Sequence, residues 1–236
     1  MHLNRRHALA ALIALCAFGL LPARAALAAD DLEKVLARLD ASSANFHALQ
    51  ADFVYDTETK DPVPDSEIQK GTVYYQRNGT ALKMAAHIDE DDHHPVVKTY
   101  TYSGGLLALY DNTNGNNQVT RITKAGAYEG YLLLGFGASG KDMKQKWDMK
   151  YLGSETIDGV KTEKLEMVAK DAGVRKNISK VTIWVDPERA ISLKQRFDLS
   201  NGSYRLGTYK NVKMTQSFPA SDFTFKTDGK TTYINQ

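Results

Sequence analysis

The stretch whose residue types and spacing could do chemistry most directly is Leu132 to Lys141, LLLGFGASGK. Gly135-x-Gly137-x-x-Gly140 has the spacing of a dinucleotide-binding turn, and Gly135-x4-Gly140-Lys141 that of a phosphate-cradling loop. Both devices aim backbone N–H groups at a phosphate where a parallel strand feeds a helix. Here the flanking strands are hairpin-linked, and position 142 is Asp where a magnesium-binding Ser or Thr is needed. The glycines are therefore assigned to a flexible helix terminus that lets a covering segment move.

A second candidate is the run His87, Asp89, Glu90, Asp91, Asp92, His93 and His94, which holds ligand types enough for a metal. Metal ligands must converge and be oriented by further groups, and consecutive residues diverge, so the expectation is a solvated loop at a hairpin tip and no metal. His47 stands alone near a helix end and reads as a surface or packing residue. Glu163 and Glu166 lie beside Lys161 and Lys164 on a strand, which predicts a charged outer face. No Gly-x-Ser-x-Gly elbow and no His-Glu-x-x-His is present. No catalytic residue and no cofactor is assigned, and the chain is not expected to be an enzyme.

What remains is apolar. Phe53, Tyr55, Tyr74, Tyr100, Tyr102, Leu107, Leu109, Trp184 and Phe197 recur along the predicted strands. Two readings stand. Either these side chains fill an ordinary core, or a strongly curved sheet with too little helix to cover it leaves a cavity that an acyl chain can enter. On the second reading the lining is Phe53, Tyr74, Tyr102, Leu107, Leu109, Trp184 and Phe197.

The elements that must position these residues are mostly strands. From Ile178, Val181, Ile183 and Val185 alternate with Lys180, Thr182 and Trp184; Asp186-Pro187-Glu188-Arg189 turns the chain. It returns as Ile191, Leu193, Gln195, Phe197 and Leu199 between polar residues, a period of two that a helix cannot use. Asp31 to Leu49 has helical spacing in Leu32, Val35, Leu36 and Leu39, a stripe that Phe46 and Leu49 extend, and a strand follows from Gln50. Further strands are predicted at 71–77 and 81–88 around Asn78-Gly79, then at 97–102 and 106–110 around Ser103-Gly104-Gly105, and at 118–123. Helical pieces at 127–136 and 141–146 interrupt the sheet, which resumes at 148–156, 161–169 and 203–214 and ends with Phe223 and Phe225. Hairpin order predicts an antiparallel half-barrel, and there are no crossover helices for a parallel sheet.

Arg5 and Arg6 precede an apolar run, Ala8 to Leu21, that is too short to span a bilayer, and Pro22 ends it. With small-x-small sites ending at Ala25 and Ala28, residues 1–28 are expected to be a secretory signal and 29–236 one domain. Cys16, the only cysteine, leaves with the signal. So do three arginines, which leaves 27 basic and 28 acidic residues and no electrostatic case for nucleic acid.

The leading amphipathic helix, Phe46-His47-Ala48, Gly71-Thr72-Val73-Tyr74-Tyr75-Gln76-Arg77, Gly104 to Asp111, the Ile178 to Leu199 hairpin and Ser221-Asp222-Phe223-Thr224-Phe225 resemble, in that order, the LolA-type periplasmic lipoprotein carriers. The resemblance implies a mainly β fold with some α: an incomplete, half-open antiparallel β-barrel closed by an N-terminal helix and an inserted helical lid. It further implies a periplasmic monomer that carries lipoprotein acyl chains, or another lipid, from an inner-membrane ATP-driven release complex to an outer-membrane receptor. Arg77 occupies the place of the arginine that holds the lid through backbone carbonyls. The lid would be 127–136, with Tyr131, Leu132, Leu133, Leu134 and Phe136 turned inwards. The alternative is a lipid-binding sensor or adaptor of the same fold that regulates an envelope partner.

Overall fold

The alternation in the central hairpin forms β9 (Ile178–Asp186) and β10 (Ile191–Leu199), paired antiparallel from Asp186 against Ile191 to Ile178 against Leu199. The computed structural model describes residues 21–79, 81–123 and 134–236. They build a sheet of twelve strands. In chain order these are β1 (Ala48–Thr59), β2 (Asp65–Asn78), β3 (Ala81–Asp91), β4 (His94–Ser103), β5 (Leu106–Asp111), β6 (Gln118–Ile122), β7 (Trp147–Ile157), β8 (Val160–Ala169), β9, β10, β11 (Tyr204–Thr215) and β12 (Thr232–Asn235). The spatial order is β12-β6-β5-β4-β3-β2-β1-β11-β10-β9-β8-β7, so β7 and β12 end the sheet without meeting. This is the half-open barrel expected from the sequence.

Among the described residues the α-helices are α1 (Leu21–Ser43), α2 (Gly140–Lys146) and the single turn α3 (Ala172–Arg175). The first starts ten residues before the predicted Asp31, through an alanine-rich stretch of high helix propensity that includes Ala25 and Ala28. It stops at Ser43, not Leu49, where the amides of Asn45 and Phe46 turn back onto the carbonyls of Ser42 and Ser43. Leu49 belongs to β1. Residues 1–20 of the expected signal lie outside the described residues.

Among the described residues every strand pair is antiparallel except one. The exception is a short edge strand that the sequence reading does not contain: β12 runs parallel to β6, Thr232 against Gln118 to Asn235 against Arg121. The chain reaches that edge by crossing the outer face of the sheet after β11, and Phe223 and Phe225 lie on this strap, not in a strand. Phe218 and Phe223 pack edge-on against Tyr74, the Phe218 amide donates to Gln76 Oε1 at 3.0 Å, and Phe225 stacks on Tyr110 at 4.9 Å.

The inner, concave face carries the core in two joined clusters. One gathers Leu49, Ala51, Phe53, Val73, Tyr75, Met84, Ile88, Tyr102 and Tyr209 around Phe46 and Phe136. The other sets Val35, Leu36 and Leu39 of α1 and Met143 of α2 over Leu165, Met167, Val181, Ile183 and Val185. Full burial of each Leu, Ile or Met side chain contributes about 1.5–3 kcal/mol, so α1 fastens this end of the sheet firmly.

Candidate functional site

The segment Leu134–Gly137 enters the concave face as an internal plug. Leu134 is 2% exposed and packs under α1; Phe136 is 1% exposed, stacked on Tyr75 at 4.3 Å and edge-on to Tyr209 at 4.9 Å. Its backbone forms a bridge with Ile191. Ser192 N donates to Gly135 O at 2.6 Å, Gly137 N donates to Ala190 O at 2.8 Å, and Gln195 Nε2 donates to Leu134 O. Buried tyrosines back the glutamine: Tyr209 Oη donates to Gln195 Oε1 at 3.2 Å and shares a 3.0 Å hydrogen bond with Tyr55 Oη. Burial raises the pKa of both tyrosines, so the network stays neutral.

This approach explains the glycines. Gly135 has φ +80°, and a Cβ there would stand 2.0 Å from Ser192 Oγ; Gly137 has φ +70°, and its Cβ would stand 2.4 Å from the Phe46 ring. They are where they are because nothing larger fits without displacing Ser192 or Phe46. Of the predicted lid, 127–133 with Tyr131, Leu132 and Leu133 lies outside the described residues. Leu134 and Phe136 lie inside them and are not helical: they sit in a turn and a bridge.

Arg77, on the concave side of β2, donates from Nη2 to Gly137 O at 2.6 Å. Its guanidinium also lies 5.7 Å from the centre of the Phe46 ring. Burial lowers its pKa, with Asp142 opposing, from a value high enough that the group remains charged. A charge-assisted bond of this kind contributes about 1.5–3 kcal/mol. Ser192 is the weak point of the same seam: its buried Oγ has no hydrogen-bond partner among the described residues.

Beyond the plug the concave face changes character. Tyr100 of β4, Leu107 and Leu109 of β5 and Ile122 of β6 are only partly buried, and Tyr100, Leu107 and Ile122 pack at the margin of the first cluster. Past them the face turns polar. Lys98 Nζ meets Asp91 Oδ2 at 2.6 Å, Gln69 Nε2 donates to Glu67 Oε1 at 2.6 Å, and Asp111 Oδ1 accepts from Thr113 N at 2.9 Å.

The residues predicted to line a cavity therefore separate into three groups. Phe53 and Tyr102, each 2% exposed, are core, and Phe197 packs beside the second cluster. Leu107 and Leu109 lie on the open part. Tyr74 and Trp184 are on the outer face: Tyr74 meets the C-terminal strap, and Trp184 Nε1 donates to Glu155 Oε2 at 2.7 Å while Lys164 and Lys194 flank its ring at 4.7 and 4.8 Å. Strand alternation sends them there, opposite to Val73 and Ile183. Glu163 makes the reverse correction. Expected on a charged outer face, it is 3% exposed on the concave side, accepting from Tyr151, Ser154 and Arg38 at 2.8, 2.7 and 3.2 Å.

The His87–His94 run is not a loop either. His87 to Asp91 continue β3, and only Asp92 and His93, with φ of 45° and 65°, form the turn. His87 faces outwards, its Nε2–H donating to Asp222 O at 2.8 Å, while Asp91 faces inwards to Lys98. No group of three His, Cys, Asp or Glu side chains converges among the described residues. The sequence reading missed Gln195, Tyr209 and Ser192 as the plug's partners. Gln195 alone was flagged by pattern, a polar residue in the apolar register of β10.

No protein-family model and no curated protein matches the sequence. Among solved structures, MucB is 10% identical over 84% of this chain with a TM-score of 0.53; the chain spans 63% of the MucB chain. MucB in its complex with MucA from Pseudomonas aeruginosa gives 9% identity over 83% of this chain and 61% of that one, with a TM-score of 0.50. An uncharacterized conserved protein from Thermus thermophilus is 10% identical over 87% of this chain and 99% of its own, at 0.53. The LolA superfamily protein NE2245 from Nitrosomonas europaea is 16% identical over 82% and 97% of the two chains at a TM-score of 0.39, too slight a likeness to carry an argument. At these identities the likeness to MucB and to the Thermus protein shows a shared fold.

Proposed function

We propose that this chain is a LolA-like periplasmic carrier that shields lipoprotein acyl chains on its concave face and exchanges them for its own plug. The observation that carries this reading is the division of that face: a plug of two apolar side chains seated by a few backbone hydrogen bonds, next to a floor of partly buried Tyr100, Leu107, Leu109 and Ile122. An acyl chain placed on that floor removes apolar surface from water at about 0.8 kcal/mol per methylene, so a long chain gains several times the strength of any one bond in the seam. Trading Leu134 and Phe136 for acyl methylenes is an exchange of like for like, which leaves the polar seam to set how readily the plug moves. Arg77 is the latch of that seam through Gly137 O.

Transfer then needs no covalent chemistry. Cargo passes from an inner-membrane ATP-driven release complex to an outer-membrane receptor along rising affinity, with plug opening as the coordinate. Residues 1–28 act as the export signal and 29–236 as one carrier domain, working as a monomer. A second reading is favoured by the fold shared with MucB, which was solved bound to MucA: a module that senses lipid and regulates an envelope protein.

Crosslinking in the periplasm, followed by mass spectrometry of what is attached, separates the two. A carrier yields lipoproteins with their acyl chains, and a sensor yields one regulatory partner. Recovery of neither lipid nor lipoprotein from the gently purified chain contradicts the carrier.

A further inference from the structure

The plug fills its seat as a ligand would, and its contacts define the chemistry that the seat accepts. Two consecutive carbonyls enter it, each met by a donor: Gln195 Nε2 donates to Leu134 O, and Ser192 N donates to Gly135 O at 2.6 Å. An apolar side chain follows them, Phe136, against Tyr75 and Tyr209. Carbonyl first and hydrocarbon after is also the order of groups in an acyl chain.

One donor of the seat is left over. Ser192 is wholly buried, and its Oγ has no hydrogen-bond partner among the described residues. A buried hydroxyl without a partner destabilises the state that holds it, and an alanine would avoid that loss. This hydroxyl stands with the other donors. The point where a Cβ on Gly135 would lie is 2.0 Å from Ser192 Oγ and 2.7 Å from Gln195 Nε2. The glutamine amide is held in orientation from behind, its Oε1 accepting from Tyr209 Oη at 3.2 Å, and Tyr209 Oη shares a 3.0 Å bond with Tyr55 Oη. Gln195 Nε2, Ser192 N and Ser192 Oγ thus converge on one spot, and the plug engages the first two.

We propose that Ser192 and Gln195 form a carbonyl seat for the ester or amide group of a bound acyl lipid, which takes the place of Leu134–Phe136 with its carbonyl on these donors and its hydrocarbon against Tyr75 and Tyr209. The Ser192 hydroxyl gains in the loaded state the acceptor that it lacks in the plugged one. A chain without a carbonyl leaves all these donors buried and unpaired, so the seat discriminates against it. The inference rests on the proposed exchange of plug for cargo and adds which group of the cargo is read.

The test is calorimetric titration of the exported chain, below micelle formation, with monolaurin and with 1-O-dodecylglycerol, an ether of the same chain length and headgroup that lacks the carbonyl. Both ligands must displace the plug, so its contribution cancels in the ratio of their affinities. The wild type is expected to bind the ester about tenfold tighter than the ether. Ser192→Ala and Gln195→Met are each expected to bring that ratio most of the way to one. Ser192→Ala is further expected to keep or raise the urea midpoint of the ligand-free chain, which loss of a purely structural hydroxyl would lower. A ratio that falls in one variant alone narrows the seat to that donor. A wild type that binds the ether as tightly as the ester, or a preference that neither variant moves, overturns the seat and leaves the carrier reading standing. A lower midpoint for Ser192→Ala means that its hydroxyl is already partnered under the plug, and overturns its assignment. No binding of either amphiphile overturns both the seat and the carrier.

Discussion

The two parts of the concave face are built on one plan and finished differently. Over β8 and β9, Leu165, Met167, Val181 and Ile183 are fully buried beneath α1 and Leu134. Over β4 to β6, the inward residues Tyr100, Leu107, Leu109 and Ile122 are equally apolar yet only partly buried among the described residues. One part is a core and the other, among the described residues, is a partly buried apolar surface. The plug at Leu134–Gly137 is the border, and its energetics decide how independent the two parts are.

The strongest way to break the border is at Gly135. Gly135→Val combines a positive φ that a β-branched residue resists with a Cβ inside Ser192, and is expected to lose more than about 4 kcal/mol in urea unfolding. A paired substitution sharpens the contrast. Phe136→Ala empties a stacked, buried site and should lose about 3–4 kcal/mol, whereas Leu109→Ala on the open floor should lose under about 1 kcal/mol while weakening fatty-acid binding. Equal losses of stability at the two positions would mean that the open floor is core as well.

Arg77→Leu is expected to fold, at a loss of about 1.5 kcal/mol, and to speed hydrogen exchange at the Gly137 amide, because the latch on its carbonyl is gone. Cargo should still load but transfer poorly. Unchanged exchange and unchanged delivery would remove Arg77 from the seam.

The smallest effects are titrations, and they run in opposite directions. Burial alone would raise the pKa of Glu163, but hydrogen bonds from Ser154, Tyr151 and Arg38 outweigh it and hold the folded value below the ordinary one. Its stabilisation is therefore present above the unfolded pKa and lost as pH falls through the folded pKa. Glu67 has a raised pKa, from burial first and then the adjacent Asp91, so its contribution is present below the unfolded pKa and lost as pH rises through the folded one. Glu163→Gln should flatten the acid limb of a stability profile, and Glu67→Gln should stabilise slightly at neutral pH. A Glu67→Gln variant less stable at pH 7 than at pH 4, relative to wild type, would reverse that assignment.

Much of this architecture is legible in residue order. Period-two runs and turn residues place most strands, because hairpins are local and their signals adjacent. Faces are harder. The period itself put Trp184 with Lys180 and Thr182 on the wet side, and choosing it as cavity lining gave weight to its aromaticity over its register. Around Ser192, a bulge in the pairing of β9 and β10 leaves Ile191, Ser192 and Leu193 all buried, which no strict alternation predicts. The C-terminal strap and β12 were invisible for another reason: their partners, Tyr74, Tyr110 and β6, are over a hundred residues distant, and four exposed residues carry no apolar pattern. Arg77 became a candidate only through the family resemblance.

The claim on which the rest depends is that ligand enters the open part and not the sealed one. A fatty acid carrying a nitroxide near its methyl end, titrated into isotopically labelled protein, tests it by paramagnetic broadening of methyl resonances. The account predicts broadening at Leu107, Leu109 and Ile122 with none at Leu165 and Ile183. Broadening at Leu165 and Ile183, or none anywhere at saturating ligand, would contradict it.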